Sequence, residues 1–297
     1  MQLVQDFVEL LVGAAFLVGS AGRRDRVLAK CRSAHQHEKD KGRSHRSFDS
    51  FHSKVYRHFC AIQFRKMIQS ETRTLGAPVA GDAARLPDRI ALEGVYVTVE
   101  PLCPVKHGDS LWESSGGIAN QDLWRYLHSG PFVERTAFDA YLEAKAASDD
   151  PKYFALVDHT TGRATGHAAY MRIDPGQRVI EVGAILYTSL LRKTRAATEA
   201  MYLMARHAFG DLGYRRYEWK CNVLNDASQS AARRLGFSFE GVFRQHMIVK
   251  GRSRDTAWFS MLDYEWDSRK REFQRWLAPE NFDETGRQKT RLNHGSV

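Results

Sequence analysis

The chain has no cysteines at metal-ligand or redox spacing. Its four, Cys31, Cys60, Cys103 and Cys221, lie far apart without a CxxC pair, which excludes a disulfide framework and a cysteine-based zinc site and fits a reducing, cytoplasmic setting. Long hydrophobic runs are also missing. The longest, FVELLVGAAFLVG, covers 13 residues and contains Glu9, so it is too short to span a bilayer. An Arg pair follows it and no basic segment precedes it, the reverse of a secretory leader. A short amphipathic or disordered segment is expected there. No internal repeat is visible.

Most of the chain also lacks a dominant charge sign, although the net charge is +9 and the pI about 9.4. Residues 23–66 hold 13 Lys and Arg against 4 Asp and Glu; with the two acids of residues 1–22 included, residues 1–66 carry +7 and residues 67–297 only +2. The basic character therefore belongs to a His-rich N-terminal extension, residues 1–66, expected to be poorly ordered and dispensable for folding. Its Cys31, His35, His37, His45, His52, His58 and Cys60 match no familiar ligand spacing, so no metal is expected. The charge pattern requires no nucleic-acid partner.

What is present reads as one α/β domain. A lead-in occupies residues 67–89, the domain residues 90–266, and a C-terminal helix and tail residues 267–297. LEGVYVTVEPL alternates as a strand, with Val95, Val97 and Val99 on one side. Helices are expected near DSLWES, from Asn120 in NQDLWRYLHS, and over ERTAFDAYLEAKAAS. Two strands follow, KYFALVD and ATGHAAYMRI, joined by a glycine-containing turn. After DPGQ comes the strand RVIEVGAILY, then helical period over residues 194–209, stopped by Gly210 and Gly213. RRYEWKCN alternates as another strand. A helix over residues 226–235 with Asn225 as N-cap and Gly236 behind it precedes two strands across KGRS. This order predicts an α/β (α+β) fold with a mixed, mostly antiparallel central sheet flanked by helices.

Three features coincide in the middle of the domain. Glu181 stands in a strand, Gly183 permits a bulge that would turn the N–H groups of Ala184 and Ile185 out of the ladder, and the cationic turn LLRKTRAATEA opens a helix. N–H groups freed by a bulge can bond an amide or an oxyanion, and a helix start flanked by cations suits a pyrophosphate.

In this setting Arg192-Lys193-Thr194-Arg195-Ala196-Ala197 resembles the Q/R-x-x-G-x-G/A pyrophosphate loop of the GNAT superfamily of acyl-CoA-dependent N-acyltransferases. NVLNDASQSAARRLGFSFEGVFR is similar to the motif that follows it there. The continuation ATEA and the hairpin HMIVKGRSRDTAWFSMLDYEW resemble the branch of ribosomal-protein N-terminal acetyltransferases. The resemblance implies acetyl-CoA as acyl-donor cosubstrate, held by Gly183, Ala184, Ile185, Arg192, Lys193, Thr194, Arg195, Ala196, Ala197, Thr198, Asn225 and Ser228. It implies an amine acceptor, a small molecule or a peptide N-terminus, attacking directly, with Glu181 as base and Tyr170, Arg172, Trp219 and Trp258 as candidate walls of the acceptor site. A monomer or homodimer without a membrane span is expected.

Two positions depart from the pattern. Arg195 replaces the usual loop glycine, and Ala232 replaces a Tyr that often serves the family as general acid toward the CoA sulfur. These departures keep open a silent acyl-CoA-binding module. The basic extension keeps open a binder of anionic partners.

Overall fold

The structure, a computed structural model, describes residues 76–292. Contacts divide the chain between Ala80 and Gly81, and the sheet, its helices and the cleft all belong to the second unit. The expectations for residues 1–66, including the anionic-partner reading, lie outside the described residues.

Eight strands form one sheet: β1 (Leu92–Glu93), β2 (Val97–Pro101), β3 (Lys152–Asp158), β4 (Arg163–Asp174), β5 (Val179–Tyr187), β6 (Arg216–Asn222), β7 (Ser238–Val249) and β8 (Arg252–Leu262), in the order β1-β2-β3-β4-β5-β6-β8-β7. All neighbours are antiparallel except β5 and β6. Period-two alternation feeds two cores, one on each face. On β3, Tyr153 and Ala155 pack with α1 (Pro104–Ser115) and α2 (Arg135–Ala146), around Leu111, Phe138 and Leu142; Phe154 and Leu156 pack on the opposite side. That second core takes in α3 (Arg195–Arg206), α4 (Asp226–Arg234) through Ala232, and α5 (Asp263–Leu277). Residues 196–205 of α3 are all buried, as befits a helix enclosed on every side.

The mostly antiparallel sheet agrees with the sequence expectation, and three elements differ in detail. The first strand is split at Gly94, because the buried carboxylate of Glu199 on α3 accepts hydrogen bonds from the N–H groups of Val95 (2.8 Å), Tyr96 (2.6 Å) and Val97 (3.1 Å) and so holds a turn there. A Cβ on Gly94 would lie 2.5 Å from Glu199 Oε2, so only glycine admits this approach. Instead of an α-helix from Asn120 there is a 3₁₀ turn, Ile118–Trp124, anchored by the fully buried Trp124, whose Nε1 donates to the Ser115 carbonyl at 2.8 Å. The helix read over residues 194–209 is α-helical to Arg206 and closes in a π turn, His207–Asp211. In KGRS, Lys250 (φ 50°) and Gly251 (φ 72°) form a two-residue hairpin loop, the twist that favours tight β-turns of this length. No helix among the described residues is long and apolar enough to cross a membrane.

Candidate active site

The one parallel pair opens the sheet. β5 and β6 are paired only through Val179↔Arg216, Ile180↔Tyr217 and Glu181↔Glu218. Beyond that point β5 continues to Tyr187 and β6 to Asn222 unpaired with each other, and a cleft of about 2300 Å³ enters the wedge. On its other side β5 is bulged. His167 faces Leu186 and Ala169 faces Gly183, so Ala184 and Ile185 oppose Ala168 alone, with Ala184 at φ 48°. The bulge takes two residues out of the ladder at the floor of the wedge. Gly183 keeps this side of the strand clear, since a Cβ would come within 2.5 Å of Met171 Sδ and displace the end of that side chain.

At one end of the cleft stands the start of α3. Thr194 caps it, its Oγ1 accepting from the Ala197 N–H at 3.1 Å, and Lys193 before it takes the left-handed region at φ 63°. The first turn holds no acidic residue, so free N–H groups and the positive end of the helix dipole face the cleft uncompensated. Arg192 is steered by a 3.1 Å bond from Nε to the Tyr187 carbonyl. Arg195 has a structural role that accounts for its place in the loop: its guanidinium lies over the rings of Phe282 (4.1 Å) and Tyr96 (5.1 Å), within the range of cation–π attraction. Thr198 accepts from Arg234 Nη1 at 3.2 Å, and burial pushes the Arg234 pKa down. From the C-terminal tail, Arg287, Lys289 and Arg291 line the same cleft.

Across the wedge, Asn225 caps α4 by accepting the Ser228 N–H at 3.1 Å, and Ser228 Oγ accepts from Trp219 Nε1 at 3.0 Å. Asn225, Ser228 and Trp219 all line the cleft. Ala232 is fully buried in the core, and it is Ala231 that lines the cleft.

The other end of the cleft is built on charge. Glu181, only 3% exposed, shares Oε2 between Arg172 Nη1 (2.6 Å) and Lys220 Nζ (2.8 Å). Lys220 also reaches Glu218 at 2.6 Å and lies 4.0 Å from the centre of the Trp258 ring; Glu218 in turn pairs with Arg216, which holds Glu240. Three cations and three carboxylates thus alternate along one chain of ion pairs. His167 lines the cleft beside Tyr141, whose hydroxyl is 3.1 Å from Nε2; burial pushes the His167 pKa down to about 4.

Two expected acceptor walls are displaced. Tyr170 is a core residue with its hydroxyl donating to the Met204 carbonyl at 2.6 Å, so it faces α3 and does not line the cleft, whereas Met171, on the opposite side of the strand, does. Trp258 stands behind Lys220 and is likewise absent from the lining. Trp219 and Arg172 are on it. Sequence reading missed Arg254 and His128, which meet at this end, and the cations of the tail, whose alternation at residues 287, 289 and 291 is visible in the sequence while their destination is not. Among the described residues no cluster of His, Cys, Asp and Glu is arranged to hold a metal ion.

Residues 108–238 match the family model of the acetyltransferase (GNAT) domain. A GCN5-related N-acetyltransferase from Brucella melitensis is 48% identical, with a TM-score of 0.70 over 71% of this chain and 96% of that one. A probable acetyltransferase of the GNAT family from Chromobacterium violaceum ATCC 12472 is 38% identical, with a TM-score of 0.61 over 65% and 98%. A chain assigned as a ribosomal-protein-serine acetyltransferase from Vibrio cholerae shares the fold alone, at 15% identity and a TM-score of 0.50 over 58% and 97%. No curated protein matches the sequence.

Proposed function

The chain belongs to the GCN5-related N-acetyltransferase (GNAT) family, and from that premise we propose that it moves an acetyl group from acetyl-CoA straight to a primary amine, of a small molecule or a peptide N-terminus, within a ternary complex. The observation that carries this reading is the parting of β5 from β6 after Glu181, with a bulge on its floor and a cationic helix start at its end. These features fit the donor. A slot between strands takes the pantetheine arm, and N–H groups without acidic neighbours take the pyrophosphate.

Bound acetyl-CoA supplies a thioester carbonyl that an amine can attack. The chain supplies the rest. The helix start, with Arg192, Lys193, Thr194, Ala196, Ala197 and Thr198, holds the phosphates, while Arg195 stays on Phe282 and Tyr96 and adds charge beside them. Asn225 and Ser228 meet the arm. Gly183 leaves room for the acetyl group, and the N–H of Ala184 or Ile185, outside the ladder, meets the carbonyl oxygen as charge grows on it. Arg172 and Trp219 bound the acceptor side. Among the described residues Glu181 Oε1 has no hydrogen-bond partner, whereas Oε2 is committed to Arg172 and Lys220. We assign Oε1 the amine proton, directly or through a water. The C–N bond forms as the C–S bond breaks, and the proton lost by the amine balances the one gained by the thiolate.

Energetics favour an α-amine. At pH 7 the α-ammonium of a peptide N-terminus, with pKa about 7.7–8, loses its proton for roughly 1 kcal/mol, whereas a Lys-like ammonium costs about 4–5 kcal/mol. A thiolate of pKa about 8.5 needs only about 2 kcal/mol of help at that pH, so the lack of a Tyr at Ala232 is tolerable. No nucleophilic side chain is required when orientation brings amine and thioester together.

Calorimetry tests the donor site. Acetyl-CoA should bind the full chain, and the Arg192→Ala, Lys193→Ala double variant should bind it about tenfold or more weakly, at least roughly 1.4 kcal/mol. Absence of binding by folded wild-type protein would overturn the reading. Binding without thiol release across an amine panel would reduce the protein to a CoA-binding module.

A further inference from the structure

Arg254 is a buried cation at the acceptor end that the ion-pair chain leaves out. It is 8% exposed and lines the cleft. Its Nε donates to Thr256 Oγ1 at 3.1 Å, and Nη1 lies 3.3 Å from His128 Nε2. No carboxylate among the described residues stands within ion-pair distance of it. Glu181, which is within electrostatic reach, is already shared by Arg172 and Lys220, and Glu218 and Glu240 are taken by Lys220 and Arg216. A buried guanidinium with no counter-ion is costly, and such charges in folded proteins are normally paired.

The local hydrogen bonding adds direction. A guanidinium cannot accept a hydrogen bond, so His128 Nε2 must accept from Arg254, which puts the proton of the neutral imidazole on Nδ1. Burial together with Arg254, Arg172, Lys145 and Lys250 pushes the His128 pKa down, keeping that ring neutral. Among the described residues Nη2 of Arg254 and Nδ1 of His128 are then two donors without protein partners at one end of the cleft, and no carboxylate there stands within hydrogen-bond distance of either. The loop that carries His128 is tied over this end: Tyr126 donates to the Leu224 carbonyl at 2.8 Å and Lys250 to the Trp124 carbonyl at 2.7 Å. A strap so fixed suits a small acceptor.

We propose that Arg254, assisted by His128, binds a carboxylate on the acceptor, so that the protein acetylates small amines bearing a carboxylate, of which α-amino acids are the simplest. This rests on the acyltransferase reading above and narrows its acceptor class. The carboxylate supplies the missing counter-ion, and a planar guanidinium suits it better than an ammonium would. The same grouping helps chemistry, since cations around the amine disfavour its ammonium form.

The test uses the full-length protein loaded with coenzyme A, titrated with N-acetyl amino acids, each beside its uncharged carboxamide. These are shaped like products and need no turnover. Binding is followed by calorimetry and by the Nε–H resonances of arginine. For at least one pair the acid should bind about tenfold or more tightly than the amide and shift the Arg254 resonance. Arg254→Met should erase the preference, and Arg254→Lys should keep part of it, while both variants still bind acetyl-CoA, which shows that they fold. Equal affinity for acid and amide throughout, no binding of any acid at about 10 mM, or a preference that survives Arg254→Met would overturn the proposal. Failure of wild-type protein to bind coenzyme A would instead bring down the donor-site reading beneath it.

Discussion

Glu199 gives the sharpest stability prediction, because it is a buried acid satisfied by backbone alone. Its carboxylate, 4% exposed, accepts three N–H groups of the turn between β1 and β2, two of them at Oε2. In Glu199→Gln the amide oxygen can keep the bonds from Tyr96 and Val97, now to a neutral acceptor, while the amide nitrogen faces the Val95 N–H donor to donor. Weakening two charge-assisted bonds and losing a third costs about 3 kcal/mol in sum. For a domain of this size that corresponds to a fall in Tm of roughly 6–12 °C. Glu199→Asp should lose a comparable amount, since it keeps the charge but is one methylene too short to reach all three donors. Thermal unfolding followed by circular dichroism, beside urea midpoints at constant slope, measures both. A fall below about 2 °C in both variants would mean that these bonds do not hold the turn, and that the first strand is split for some cause other than Glu199.

Four further outcomes follow from the site. Gly183→Ala places a Cβ 2.5 Å from Met171 Sδ; because a Met end yields easily, we expect under about 1 kcal/mol of destabilisation but a fall of about tenfold or more in kcat/KM, relieved by adding Met171→Ala. Unchanged kinetics would remove the acetyl group from this spot. Thr194→Ala deletes the cap of α3 and should cost about 1 kcal/mol, seen as a Tm lower by about 2–4 °C, with weaker acetyl-CoA binding. Glu181→Gln should lower kcat without weakening acetyl-CoA binding in calorimetry; unaltered kcat would take the base role from it. His167 sets a pH effect: its folded pKa of about 4 lies below the ordinary value of 6.5, so the unfolded chain gains a proton first as pH falls. Stability is therefore full above about pH 6.5 and declines toward pH 4, by up to about 3 kcal/mol. His167→Gln should show a shallower decline in Tm over that window, and an identical slope would contradict the assignment.

Much of the scaffold could be read from local pattern. The strands KYFALVD and RRYEWKCN, the helix starts at Thr194 and Asn225 and the Lys250–Gly251 turn are legible because period, capping and turn chemistry involve residues within a few positions of one another. The motif near residues 190–200 likewise sits where the helix start of the cleft is found. Tyr170 was misplaced for a different reason. Alternation shows that Tyr170 and Met171 point to opposite faces, but which face meets the cleft depends on partners far along the chain, α3 on one side and the wedge on the other. The 3₁₀ turn at Trp124 is similar, since its apolar residues have helical spacing and tertiary burial of one indole overrides it.

The sequence by itself thus determined the elements, the family resemblance and the cationic helix start, all of which rest on short-range regularities. Only the tertiary structure decided where β5 leaves β6, which carboxylates the cations beside Glu181 consume, and that Arg254 has none among the described residues. Pairing of charges is a matter of three-dimensional distance and burial: the composition of residues 67–297 is nearly neutral, and neutrality of the whole says nothing about a single buried guanidinium whose nearest acids are already engaged.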